Sequence, residues 1–224
     1  MQRFEVSVED IEYRAPLLAR IYRPLGTAPF ASMVDVHGGA WTVGDRTQHH
    51  TMDTALASGG VLVASLDFRQ PPPAEHAYPA SLMDVNFGIR WLKQHAIELG
   101  ATPGGKFGLF GGSSGGHVAI LAGMRPRDPR YCKLPLEGDA DVDFVVADAP
   151  VTDPCTRYRD WLRDGRTEPV ERFRLYWPTD ADAEDGSCNL ILMRGEPVAL
   201  PPLFISQGTA DQQVPISMTR AFVD

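Results

Sequence analysis

Five short apolar runs, at residues 31–36, 61–65, 106–110, 144–147 and 203–206, constrain this chain more than any other feature. Each ends near Gly, Asp or Ser, and segments of helical period separate them. Runs this short that are apolar throughout are the buried strands of a mostly parallel sheet, and the segments between them are the helices that cover both of its faces. In such sheets the loops at the carboxyl ends of the strands carry the chemistry. Two further runs, 4–8 and 17–22, flank a turn at 14–16 and predict an opening antiparallel pair. The fold class is therefore α/β. A chain of 224 residues with 43% hydrophobic content buries one substantial core, and no break in composition marks a second, so 1–224 reads as a single domain.

The clearest helix spans 80–99, with Leu82, Val85, Ile89, Leu92 and Ile97 forming its apolar stripe. A second, short and rich in small residues, spans 115–124. Residues 152–201 break the rhythm: Tyr158, Trp161, Phe173, Tyr176 and Trp177 sit among charged residues with no clear strand. This stretch reads as a helical insertion over the active face, a lid or cap. Its basic run, 157–174, alternates Arg with Asp and Glu and reads as a solvated helical face.

A net charge of −8 argues against nucleic acid or an anionic membrane as partner. Cys132, Cys155 and Cys188 make an odd count without metal-ligand spacing, which predicts a reduced, cytoplasmic protein. Residues 1–12 lack the apolar centre of a signal peptide, and no stretch is long and apolar enough to span a bilayer.

Gly111-Gly112-Ser113-Ser114-Gly115 fits the pattern G-x-S-x-G, placed after an apolar strand and before a helix. A sharp strand-to-helix turn needs glycines, because side chains two positions either side of the serine would strike the neighbouring strand and helix. The frame Gly112 to Gly116 would make Ser114 the nucleophile instead, and a Gly/Ser-rich turn of this kind also suits a phosphate-binding loop. No Lys follows the serines as a P-loop demands. His37-Gly38-Gly39-Ala40-Trp41 follows another strand and supplies backbone N–H groups free to face a developing oxyanion, each worth about 3 kcal/mol in a transition state. Its bland alternative is a plain glycine turn. Asp211, in the loop after the last apolar run, stands in the order Ser before Asp; its alternative is a turn residue or cap ahead of a helix at 216–222.

Together these residues resemble the hormone-sensitive-lipase-like branch of the α/β-hydrolase family, the acetyl esterases and carboxylesterases whose oxyanion loop begins His-Gly-Gly. Four stretches match in order: the His37 loop; Asp67-Phe68-Arg69 with 74–80 and Asp84; Gly111 to His117; and the loop 208–215. The resemblance selects Ser113 as nucleophile and implies Asp211 as the acid. It implies an oxyanion hole framed by Gly38, Gly39 and Ala40, with Gly39 the main donor and the N–H of Ser114 completing it. Where the family has Asp before the serine this chain has Gly112, and Ala40 replaces a third glycine.

The activity so implied is hydrolysis of small-molecule carboxylic esters with short acyl groups through an acyl-enzyme, with no cofactor and no metal. Amide or formamide cleavage and a non-catalytic small-molecule binding protein are the alternatives. The triad histidine should follow Asp211 after one more helix and strand, yet the last histidine is His117. His117 should pack near its own helix; His49, His50, His76 and His95 read as surface or supporting residues without metal-ligand spacing. The expectation is a catalytic histidine beyond residue 224, a sheet lacking its last strand and helix, an exposed edge at 203–206, and a chain that is by itself poorly soluble and close to inert.

Overall fold

The apolar runs do become strands. In the computed structural model, which describes residues 3–27 and 30–224, they are β3 (Ala31–Val36), β4 (Val61–Leu66), β5 (Phe107–Gly112), β6 (Phe144–Asp148) and β7 (Leu203–Ser206). Ahead of them lie β1 (Glu5–Arg14) and β2 (Leu17–Leu25), the expected antiparallel pair, with β1 extended to the turn and β2 extended at its outer end. The seven strands are ordered β1-β2-β4-β3-β5-β6-β7. From β4 to β7 every pairing is parallel, and β2 joins β4 antiparallel. This is the α/β-hydrolase arrangement that the sequence implies. All carboxyl ends of the parallel strands share one edge, so the loops after β3, β5 and β7 meet there.

The helix after β4, α2 (Ala80–His95), buries Leu82, Val85, Ile89 and Leu92 completely. The fifth expected position of the stripe fails. The helix stops at His95, the chain reverses at Gly100 with φ 101°, and Ile97 is left 62% exposed. Helix α1 (His50–Ser58) has no counterpart in the sequence reading, because its inward face is made of Asp53 and Ala57 and shows no apolar stripe. Helix α3 (Ser114–Met124) leaves β5 with every residue buried. Packed between the sheet and the following helices, it has no solvent face.

Four helices occupy the stretch between β6 and β7: α4 (Pro154–Arg163), α5 (Thr167–Tyr176), α6 (Asp180–Asp185) and α7 (Cys188–Met193). Polar caps start three of them. Asp153 accepts from Thr156 N at 3.0 Å, Thr179 and Asp182 form a reciprocal capping box, and Ser187 accepts from Leu190 N at 3.3 Å. The solvated face expected at 157–174 needs one correction. Arg157 is 4% exposed, because Pro154, Arg157 and Trp161 form the inward stripe of α4 at helical spacing. Helix α8 (Ile216–Val223) follows the last loop. Among the described residues β7 is the outer strand, with Phe204 64% exposed, and no helix is long and apolar enough to cross a membrane.

Candidate active site

Close backbone packing holds the turn at Ser113. The serine sits at φ 55°, ψ −120°, a strained conformation for a residue with a side chain. Its N–H donates to Asp148 O at 2.8 Å, and its carbonyl accepts from Val151 N at 3.2 Å, so the end of β6 clamps it on both sides. The glycines around it have no alternative. A Cβ on Gly111 would stand 2.4 Å from Gly115 O, and one on Gly115 only 2.1 Å from Val36 O. Thus helix α3 leaves the sheet pressed against the end of β3, which is where the oxyanion loop begins.

That loop is wound tightly. Gly39, Ala40 and Trp41 all have positive φ, at 110°, 51° and 62°, and the Gly39 carbonyl accepts from both Thr42 N and Val43 N at 3.1 Å. Gly38 lies against the elbow, its Cβ position 3.0 Å from Gly112 O and 3.5 Å from Ser113 Cβ. Ser114 ties the two together: its Oγ accepts from Trp41 N at 3.2 Å. His37 is buried and stacked on Phe68 with ring centroids 4.2 Å apart, and burial pushes its pKa down. The neutral ring donates Nδ1–H to Gly38 O at 2.8 Å, the one tautomer a carbonyl partner permits.

Trp41 is the hub between this loop and the helices above it. Its ring stacks on Tyr176 at 5.7 Å and meets Trp177 and Phe173 edge-on at 5.7 and 6.4 Å. Its indole N–H donates to His117 Nδ1 at 3.1 Å, and His117 Nε2–H donates in turn to Gly186 O at 2.8 Å. His117 is wholly buried, which drives its pKa down to about 4. It is a neutral tether whose side-chain partners, Trp41, Trp177 and Gly186, come from other elements and not from its own helix, where the sequence reading packs it.

Asp211 lies in the loop after β7, at the same edge as Ser113 but two strands away. Val214 N at 3.0 Å and Gln213 N at 2.7 Å bond one carboxylate oxygen, and Gln207 Nε2 at 3.2 Å bonds the other. Led by the Val214 bond, these donors hold its pKa below the usual carboxylate value. The structure thus brings Gly38, Gly39, Ala40, Ser113 and Ser114 together, and sets Asp211 apart. Among the described residues no histidine side chain bonds to Ser113 or Asp211: besides His37 and His117, His50 pairs with Tyr22, His76 with Gln70 O and His95 with Trp91 O.

His49 belongs to a polar cluster that the sequence reading missed. Its Nδ1 bonds Asp35 at 2.9 Å, Ser65 Oγ donates to the same carboxylate at 2.8 Å, and its Nε2 lies 3.4 Å from the Cβ position of Gly112. Burial opposes charge on His49, but the bonded Asp35 carboxylate outweighs it and raises the pKa. Asp53, buried beside Asp35, is pushed up to about 9 and is protonated at neutral pH. An Asp inside the apolar run 31–36 is the signal that marks this cluster.

A family model described as BD-FAE matches residues 20–224. The probable carboxylic ester hydrolase LipM of Mycobacterium tuberculosis is 32% identical over 205 residues, covering 89% of this chain and 45% of its own. Esterase LipC of the same organism is 29% identical over 215 residues, covering 90% of this chain and 49% of its own. The chain therefore spans about half the length of these curated relatives. The butyrate-bound esterase Est2 of Thermogutta terrifontis superposes with a TM-score of 0.73 at 27% identity, covering 96% of this chain and 77% of its own. Esterase B of Lactobacillus rhamnosis, at TM-score 0.80 and 20% identity over 97% of this chain and 70% of its own, shares the fold.

Proposed function

The chain belongs to the BD-FAE family, and from that premise we propose that it is the nucleophile-bearing part of a serine carboxylic-ester hydrolase. The observation that carries this reading is the fit of the oxyanion loop against the elbow: Gly38 against Ser113, and Trp41 N–H on Ser114 Oγ. Ser113 Oγ attacks the ester carbonyl carbon, and its proton passes to an imidazole that Asp211 orients. As the tetrahedral oxyanion develops it is met by backbone N–H groups at Gly39 and Ser114, with Gly38 and Ala40 shaping the loop. Trp41 N–H is committed to Ser114 and is not a donor to the substrate. The alcohol departs with the proton the imidazole took, and water then releases the acid from Ser113.

Among the described residues no histidine side chain is hydrogen-bonded to Ser113 or Asp211, and we take the base to be a histidine that follows the Asp211 loop, as the family resemblance implies. Losing the base of such a triad costs roughly six orders of magnitude in turnover. In this reading helices α4 to α7, with the aromatics on α4, on α5 and at Trp177, are a cap over the active edge, and the substrates are esters with short acyl groups. Curated relatives carry the names esterase and carboxylic ester hydrolase, which supports the same reaction here. The decisive measurement is hydrolysis of p-nitrophenyl acetate through octanoate by a version of the protein that carries the triad histidine and by the Ser113→Ala variant of that version. Activity on acetate that the variant lacks supports the proposal; equal rates for the two would overturn it.

A further inference from the structure

Two arginines are equally hidden. Arg90 and Arg157 are each 4% exposed, yet they differ in what surrounds their charge. Arg90 places all its guanidinium groups: on Asn86 Oδ1 at 3.0 Å, on Leu134 O at 3.0 Å and on Leu136 O. Arg157 makes no side-chain hydrogen bond or ion pair with any described residue, and its Nη2 is buried without a partner. Its guanidinium stands over the face of Trp161, 4.7 Å from the guanidinium carbon to the ring centre. A guanidinium does not shed its proton in a protein, so burial leaves it charged and in need of an acceptor.

The carboxylates nearest in influence are already engaged. Asp160, Asp164 and Asp211 act on Arg157 through space, while Arg166 opposes it. Asp160 and Asp164 both pair with Arg163, at 2.8 and 3.0 Å, and Asp211 is bonded to the amides of its own loop. A second donor stands beside the first. One turn further along the same inward face of α4, the Trp161 indole N–H is also buried and unpartnered. Two donors and no acceptor on one buried helical stripe is the chemistry of a carboxylate site.

Its place in the fold points to the substrate. The chain enters α4 three residues after Val151, whose N–H is bonded to Ser113 O, and Arg157 lies one turn into that helix, within reach of the Asp211 charge. We propose that Arg157, with the indole N–H of Trp161, binds a free carboxylate on the substrate, so that the esters taken by this protein are half-esters of dicarboxylic acids or similar acid-bearing esters. This rests on the ester-hydrolase reading above and specifies its substrate class. The carboxylate is held and not consumed: the bond broken is the ester C–O, and the acid group leaves with the product.

The test separates binding from turnover. In Ser113→Ala protein, the affinities of monomethyl glutarate and of methyl pentanoate, which replaces the carboxylate by a methyl group, are compared by calorimetry. The half-ester binds at least about tenfold tighter; Arg157→Gln brings the ratio to one; Arg157→Lys restores part of it. Trp161→Phe, which removes only the indole donor, lowers the ratio severalfold and controls against misfolding of the arginine variants. Equal affinities for the two esters, or a ratio that Arg157→Gln leaves unchanged, overturn the proposal. A preference for the half-ester without any p-nitrophenyl acetate hydrolysis by a version that carries the triad histidine would retain the carboxylate site and reject the hydrolase; hydrolysis by that version without the preference would do the reverse.

Discussion

The two ends of the candidate site are built in opposite ways. Around Ser113 the backbone of β3, β5, β6 and α3 interlocks so closely that Gly111 and Gly115 admit no side chain. Around Asp211 the contacts to the carboxylate come from within its own loop and from Gln207, and the adjoining strand has Leu203 39% and Phe204 64% exposed. The proposed nucleophile is set by the core and the proposed acid by its own turn, so they fail for different reasons. Disturbing the first disturbs folding; disturbing the second chiefly disturbs orientation.

Four measurements break or sharpen that contrast. The largest effect belongs to Gly115→Ala, whose Cβ would lie 2.1 Å from Val36 O and 2.4 Å from His37 O. Both obstacles are backbone, so denaturant unfolding should show a loss above about 4 kcal/mol, or no folded protein at all. A loss under about 1 kcal/mol would mean that the elbow yields more readily than its packing implies.

Next comes His117, beneath the same site. Above pH 6.5 neither the folded nor the unfolded chain is protonated there; between 6.5 and about 4 only the unfolded chain takes the proton. Stability therefore falls as pH falls through that window, by about 3 kcal/mol from this residue alone, and changes no further below it. His117→Gln should flatten that part of the stability–pH curve, and an unchanged slope would assign the dependence to another group.

Smaller still, Asp211→Ala should cost about 1–2 kcal/mol of stability, because it frees loop amides that water reaches. Its effect on turnover should be far greater, roughly four orders of magnitude. A stability cost as large as that of Gly115→Ala would erase the difference between the two ends. Phe204→Ala closes the series with a change within about 0.5 kcal/mol, since the ring is already mostly exposed. A cost near 3 kcal/mol would show that the ring is covered in solution.

The sequence makes the first end legible and the cap hardly so, for a physical reason. Glycine spacing at Gly111 to Gly116 and at Gly38 to Gly39 records close approach of one backbone to another, a constraint few other residues meet. The apolar runs of β3, β4 and β5, buried along nearly their whole length, likewise announce their strands to within a residue or two. Residues 152–201 offer no such regularity: Tyr158, Trp161, Phe173, Tyr176 and Trp177 meet partners from several elements and so follow no single helical stripe. Arg157 misleads for a related reason, since an arginine among alternating charges reads as solvated until the helix orients it. Helix α1 shows a small-residue face that apolar periodicity does not detect, and with it the His49–Asp35 pair stayed out of sight.

Trp41 joins what the sequence presents as separate parts. Because one residue gives its N–H to Ser114 and its ring to Tyr176, Trp177, Phe173 and His117, the roof and the floor of the site are a single mechanical piece. Lifting α5 away from the sheet would strip that ring bare and pull on the oxyanion loop in the same motion. Hydrogen exchange in which residues 170–177 opened while the Trp41 amide stayed protected would contradict this.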